Sequence, residues 1–442
     1  MEILLITICL VIFFLISLFR LDLGLAVLTM LLPTYVVRFK VGFLPMTFLE
    51  GMILVIIVLF LIKTLASRQF RRIINEWKRI VKPWLIPIIL FLLAATISVF
   101  VSCNLRSAVG IWKAYFIEPI LLFLVFISTI KTKRQIRLIL YGLGISAIWV
   151  SVIAIYQKFT GWAIPDPIWQ ALSARRVTSI YGYPNALGLY LGPIIVFYLG
   201  LLISNLKLAC RQGKFQISKF KTKLPITSYQ LLVIVVSLLA IVFARSHGAW
   251  MGVVAGILFL GLLSKKRAWF ILAIVILILL FSFPQTRNRI LDWAGYEENI
   301  GLRLDLWRDS LRLIKHSPLL GTGLAGFQTV YEKYRQIKHF GLFPYPHNII
   351  LNFWLETGLL GLIAFVWLVV RFFKSGFTIL RKKLLTINCQ LSTGLMAAMV
   401  CLIIHGLVDV PYFKNDLSVQ FWIFVGLLVV ANFGLDKKKK ID

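Results

Sequence analysis

The tripeptide Pro346-His347-Asn348 opens an apolar run that reaches about Val370 and carries Glu356, Gly358 and Gly361 inside it. On one continuous helix, steps of eleven and fourteen residues are near-integral numbers of turns, so Gly358 and Gly361 fall on the face of His347. Glycines on one stripe let a neighbouring helix approach to backbone contact, which would fix the rotation of the helix and the aim of the imidazole. The plain alternative is an interfacial histidine, with Pro346 simply starting the helix. Three arginine-bearing patches accompany this histidine. The first is Arg175-Arg176 followed by Gly182-Tyr183-Pro184-Asn185, where the turn residues place Asn185 as the N-cap of the next helix. The second, Arg245-Ser246-His247-Gly248-Ala249-Trp250, joins two apolar spans with almost no loop. In the third, Leu304, Trp307, Leu311 and Ile314 recur at helical spacing, with Arg303, Arg308, Arg312 and Lys315 on other faces. Pro318 and Gly321-Thr322-Gly323 then stop that helix.

Such residues suit one kind of chemistry. Arginines bind a phosphate or pyrophosphate leaving group and offset its charge as the bond breaks, while a neutral imidazole takes a proton from an attacking hydroxyl. Nearby cations keep the imidazole neutral, and no metal is needed. Snorkelling arginines account for each patch taken singly, and Asp305 with Arg308 or Asp309 with Arg312 could form a solvated, self-neutralising face. Convergence of all three patches on the side of His347 is what such singular explanations leave out.

The elements that must position these residues are membrane helices. The 442 residues are 60% hydrophobic and only 15% charged, with a mean hydropathy of +0.90, which excludes an ordinary soluble domain. Lysine and arginine outnumber acids 48 to 17. In a soluble protein that excess would suggest nucleic acid; here more than half of it falls in six short segments, 67–83, 131–137, 207–228, 264–267, 371–383 and the tail 437–440. The positive-inside rule puts all six in the cytoplasm and points to membrane lipids rather than nucleic acid. Five scattered cysteines indicate neither a zinc site nor a disulfide framework. The first nineteen residues lack the basic start and small-residue cleavage site of a signal peptide and read as a retained helix.

Thirteen apolar runs are candidates, near 3–19, 21–37, 44–66, 84–102, 114–130, 138–157, 186–206, 229–244, 249–263, 268–284, 348–370, 390–408 and 417–434. The chain therefore reads as a single all-α polytopic domain over 1–442 with 12 or 13 helices, the side of its N-terminus depending on how the first pair folds. The outer segments are then 103–113, 158–185, 245–248, the large loop 285–346 and the small link 409–416. The large loop holds nine basic and six acidic residues, so it is mixed in charge. Its amphipathic helix suits the headgroup plane, with Trp307 dipped into lipid.

The string from Arg176 to Tyr190, the Ser246-His247-Gly248-Ala249-Trp250 turn, Leu306-Trp307-Arg308, His316 to Gly323 with Phe327, and Pro346-His347-Asn348 together resemble the O-antigen ligase and O-antigen polymerase superfamily. Its ligase signature of His, then Asn, Ser or Gln, nine residues, Gly, two residues, Gly is met by His347, Asn348, Gly358 and Gly361. The resemblance covers roughly 170–365. It implies a GT-C-like membrane fold and a metal-independent, inverting glycosyltransferase without cofactor. Its donor would be an undecaprenyl-pyrophosphate-linked glycan at the outer face of the bacterial cytoplasmic membrane, its acceptor a glycan or glycolipid. Carried over by position, His347 is similar to the family's base and Asn348 to its neighbour. Arg176, Arg245 and Arg303 or Arg308 are similar to its pyrophosphate-binding arginines. The family commonly has Arg directly before Gly-Ala-Trp, where this chain has His247; either Arg245 has taken over or the site is altered.

The rival from another class is a lipid-linked glycan transporter. Transporters mark their path with ionisable groups at the midplane and show repeated halves. Glu50, Glu118 and Glu356 are the candidates here, without a visible repeat. Within the enzyme reading, ligase and polymerase share the donor and differ in acceptor, and the long loop before His347 favours the ligase.

Overall fold

The computed structural model describes residues 2–42, 44–173, 175–211, 224–264, 274, 299–335, 342–381 and 387–433. It is an all-α membrane protein. Nine helices among these residues are long and apolar enough to cross a membrane, and three shorter apolar helices accompany them. Apart from Ile274, the expected span 268–284 lies outside the described residues, as do 285–298 of the large loop and the tail 437–440.

In chain order the helices are α1 (Glu2–Phe19), α2 (Leu21–Met30), α3 (Phe48–Ala66), α4 (Phe70–Val101), α5 (Leu105–Ile111), α6 (Glu118–Thr129), α7 (Lys133–Thr160) and α8 (Pro167–Gln170). There follow α9 (Pro184–Arg211), α10 (Leu224–Ala244), α11 (His247–Ser264), α12 (Asn299–His316), α13 (Phe327–Tyr334), α14 (Ile349–Arg381), α15 (Ile387–Gly406) and α16 (Asn415–Phe433). A π-helical turn, Trp112–Ile117, joins α5 to α6 into one span.

The N-terminal pair departs from expectation. The run 21–37 is not one span: α2 has ten residues, about 15 Å or half a hydrocarbon core. The 3₁₀ turn Leu32–Val36 and an antiparallel hairpin, β1 (Arg38–Val41) with β2 (Leu44–Thr47), follow it. Alternation of Arg38 and Lys40 with Phe39 and Val41 suits a strand at a boundary better than a helix in lipid. Thr47 and Glu50 then form a capping box that starts α3. The first half of α1 lies against the hairpin, where Ile3, Ile6 and Thr7 line a cleft with Phe39, Lys40 and Val41. At its other end the Leu18 carbonyl accepts a bond from Lys63. Helices α1 and α3 therefore run in the same direction.

Contacts between ends divide the connections into two faces. On one, Asn415 reaches Thr47, Leu324 N–H donates to Ser98, Tyr183 bonds Tyr345, and Asn348 bonds the Leu407 carbonyl. On the other, Lys131 pairs with Glu76 beside the basic start of α4. Five of the six described non-glycine residues with positive φ, Ala163, Ser179, Arg245, Ala325 and His347, belong to the first face. Backbone strain of order 1–3 kcal/mol per residue is thus concentrated where the candidate residues lie. At the centre, α16 is buried along almost its whole length, against α6, α14 and α15.

Inside the bundle the Lys113 ammonium is 3.1 Å from Glu50 and 3.7 Å from Glu118, two carboxylates with 6% and 3% of their side chains exposed. Removing the shared cation would leave both charges buried and unpaired. Lys113→Met is expected to lower stability by roughly 2–3 kcal/mol, seen as a fall in thermal midpoint in detergent, while Lys113→Arg retains most of it.

Candidate functional site

His347 does not ride on the helix that the spacing suggests. It precedes α14 by two residues and holds a left-handed backbone, φ 49°. Asn348 caps the helix, its Oδ1 accepting from Ile350 and Leu351 N–H at 3.0 and 3.1 Å and its Nδ2 donating to Leu407 at 3.0 Å. Nor is α14 continuous. Gly358 has φ 69° and ψ 179°, a conformation essentially confined to glycine, so the wheel drawn from His347 to Gly358 and Gly361 is interrupted.

That interruption is a docking place rather than a groove for a helix. It releases the Leu355 carbonyl, which accepts Thr322 N–H at 2.7 Å and Thr322 Oγ1 at 3.1 Å, and the Leu359 N–H, which donates to Leu319 at 3.0 Å. Glu356 turns its carboxylate to the N–H groups of Ala325 (2.6 Å) and Phe327 (3.4 Å), meeting the unpaired donors at the start of α13. Gly321, at φ 69°, lies against the Trp354 and Leu355 carbonyls with no room for a Cβ. Gly361 faces its own turn and Ala94 of α4.

The amphipathic helix α12 turns a different face inward from the one its leucines suggest. Leu306, Asp309, Ser310 and Leu313 are buried, whereas Leu304 and Leu311 are exposed. The inward face packs on α13 and Leu355. Trp307 is not given over to lipid: its Nε1 donates to the Pro346 carbonyl at 3.0 Å, immediately before His347. Asp305 with Arg308 (3.0 Å) and Asp309 with Arg312 (2.7 Å) form the expected i,i+3 pairs, which leaves Arg308 70% exposed and turned outward. Arg303 is half-buried and near enough to Tyr345 to oppose the upward shift that burial and Asp409 impose on that phenol.

The charged neighbour of His347 is a carboxylate, not an arginine. Its Nδ1 is 3.4 Å from Oδ1 of Asp409, and among the described residues neither that nitrogen nor Asp409 Oδ2 has another partner. Asp409 is 1% exposed, in the link between α15 and α16. Burial pushes its carboxyl upward, but contact with His347, the nearby His405 and the Val410 N–H outweigh it and hold the group at about 2. It is therefore ionised at neutral pH. With Nδ1 turned to Asp409, Nε2 is left as the nitrogen that can take a proton. The rings of Tyr345 and Phe343 wall the imidazole, centroids 4.6 and 5.9 Å away.

Arg176 and Arg245 come together. Arg176 donates to the Ala244 carbonyl at 3.1 Å, the Arg245 carbonyl at 3.3 Å and Asn185 Oδ1 at 3.5 Å. Asn185 is thus not the N-cap: Pro184 takes the first helical position, where its missing N–H costs nothing, and Asn185 faces Arg176 from inside the first turn. Arg245, φ 50°, and Ser246 are the whole connection between α10 and α11, and His247 is exposed at the first position of α11. Lys158 lies near Arg245 and Arg175, so the cationic patch extends to the end of α7. Arg175 is turned inward, bonding the Lys158, Phe159 and Gln170 carbonyls. Tyr183 links the two halves of the site: its hydroxyl bonds that of Tyr345 at 2.7 Å, two residues before Asn185.

Among the described residues no three His, Cys, Asp or Glu side chains converge as metal ligands would. Asp409, Tyr183, Tyr345 and Trp307 are the site residues that sequence spacing missed. Asp409 sits 62 positions after His347, in the small outer link 409–416, with no spacing that ties it to the histidine.

Residues 232–366 match the sequence model of the O-antigen ligase family. An uncharacterized protein of Haemophilus influenzae is 24% identical over 279 residues, covering 58% of this chain and 62% of that relative. The match therefore spans less than two thirds of the relative's length.

Gly358→Ala adds a Cβ at a strained φ and against the Leu319 carbonyl. We expect a lower thermal midpoint together with faster proteolysis in 317–327, because the released carbonyl and N–H of α14 lose their partners. Unchanged proteolysis would separate the loop from the break.

Proposed function

We propose that this chain, which belongs through residues 232–366 to the O-antigen ligase family, transfers a glycan from undecaprenyl pyrophosphate to a hydroxyl of a glycan or glycolipid acceptor at the outer face of the cytoplasmic membrane. The observation that carries the reading is His347, held by Trp307 and Asn348 on either side, with Nδ1 toward the buried Asp409. The orientation is supported by the basic residues of 67–83 and 131–137, which lie on the face opposite His347.

The acceptor hydroxyl gives its proton to Nε2 of His347 as its oxygen attacks the anomeric carbon. Pyrophosphate leaves from the other side with the bonding pair, so configuration inverts. Asp409 stabilises the imidazolium and fixes its tautomer. Arg176, Arg245 and Arg303 offset charge developing on the pyrophosphate, with the guanidinium fork of Arg176 oriented by its carbonyl contacts. Arg308 ranks below them because Asp305 holds it outward. No step calls for a metal.

A polymerase working on the same donor is the second reading. Residues 161–173 and 175–183 lie on the face of His347 and contribute Arg176 and Tyr183, so basic content is shared between two segments rather than confined to one. Transport finds less support. Glu50 caps α3 and pairs with Lys113, while Glu356 ties down α13.

The test is transfer by the purified protein from a defined undecaprenyl-pyrophosphate glycan with EDTA present. One-step transfer to an added acceptor marks a ligase and growth of the lipid-linked chain a polymerase; no turnover by folded protein sinks the reading. His347→Ala should abolish transfer without loss of membrane insertion. Asp409→Asn should lower kcat by roughly 10²–10⁴-fold at similar donor KM, since it keeps the shape but not the charge behind the imidazole. Arg245→Lys should raise donor KM, a point charge being a poor substitute for the fork.

A further inference from the structure

The link 407–414 carries a second charged residue besides Asp409. The Lys414 ammonium lies over the face of Tyr183, 4.0 Å from the ring centroid. It forms no hydrogen bond and no ion pair within 4.0 Å with any described residue. Its nearest carboxylates, Asp416 and Asp409, act on it only at longer range; each has one oxygen bonded elsewhere and one buried oxygen without a hydrogen-bond partner among the described residues. Asp409 faces His347 and the Val410 N–H, and Asp416 accepts from Tyr181 at 3.3 Å. A half-buried ammonium with an aromatic platform beneath it and two carboxylates near but none in direct contact is an incomplete site, because none of its three N–H donors is satisfied by a described residue.

Its place in the fold says what completes it. The Tyr183 hydroxyl bonds Tyr345, and the Tyr345 ring stands against His347. Lys414, Tyr183, Tyr345 and His347 thus form one chain of contacts that ends at the His347 ring. Sugars supply hydroxyls in abundance, but the partner matched to a localised ammonium is an oxyanion.

We propose that Lys414 binds a substrate oxyanion, a phosphate or a carboxylate, beside the hydroxyl that His347 deprotonates. The inference rests on the glycosyl-transfer reading and deepens it. Two sources share this chemistry, the donor's pyrophosphate and an anionic substituent on the acceptor.

The experiment compares wild type with Lys414→Met and Lys414→Arg, using one lipid-pyrophosphate donor and two acceptors that differ only in a phosphate or carboxylate near the reacting hydroxyl. If the acceptor supplies the anion, wild type prefers the charged acceptor, and Lys414→Met loses the preference through a tenfold or greater rise in its KM. If the donor supplies it, Lys414→Met raises donor KM tenfold with either acceptor and weakens inhibition by inorganic pyrophosphate. Lys414→Arg restores most of the effect in both cases. Donor and acceptor KM values and pyrophosphate inhibition all within twofold of wild type would overturn the proposal. Should Lys414→Met fail to fold, Tyr183→Leu removes the platform and keeps the charge; a several-fold rise in the same KM is expected, and an unchanged KM overturns the idea. Absence of transfer by wild type would instead sink the glycosyl-transfer reading itself.

Discussion

The break in α14 at Gly358 is the constraint on which the site depends. An α-helix satisfies its own backbone, and in a membrane it must. By leaving helical geometry for one residue, α14 exposes a carbonyl at Leu355 and an N–H at Leu359, and the loop 319–322 supplies their partners. Once the loop is fixed, Glu356 can hold the start of α13, α13 can pack on α12, and α12 can present Trp307 to Pro346. The backbone of His347 is thus set at one end by its own helix cap and at the other by an element anchored two to three turns further along α14. Positive φ at a histidine is unfavourable, and this two-ended grip is what sustains it.

The side chain has a separate support. Asp409 comes from the link between α15 and α16, which the Asn348 side chain ties to the start of α14 through the Leu407 carbonyl. Separating backbone strain from side-chain orientation lets the imidazole keep its aim while the walls of Tyr345 and Phe343 close around it. Arg176 and Arg245 follow the same economy: each stands in or beside a non-helical connection, and the Arg176 guanidinium braces the second connection through the Ala244 and Arg245 carbonyls.

Much of the architecture was legible in the sequence because hydrophobic length and the placement of basic residues answer to the bilayer directly. The first pair was not, since the ten residues of α2 and the 3₁₀ turn Leu32–Val36 imitate one continuous apolar run. For the site, residue types were easier to read than geometry. His347, Asn348 and Gly358 were visible as a pattern, but a pattern in sequence does not distinguish a glycine that admits a neighbour from one that breaks a helix. Leu304 and Leu311 misled for a related reason. In a helix between protein and lipid both faces are apolar, so the stripe with the larger side chains need not be the one that packs. Asp409 was beyond reach because its partnership with His347 is made by the closing of α15 onto α14, a contact between helices that no local spacing records.

The outward side chains of the docked loop have a consequence of their own. Leu319 and Leu320 are 69% and 49% exposed, and with Leu304 and Leu311 they give the rim beside His347 an oily edge. Exposed apolar side chains of this kind suit contact with lipid rather than with bulk water. A substrate that arrives with a lipid tail then meets the rim by lateral diffusion, and what governs encounter is its mole fraction among the surrounding lipids rather than its molarity. Diluting the membrane with inert phospholipid would slow such an encounter as effectively as removing substrate.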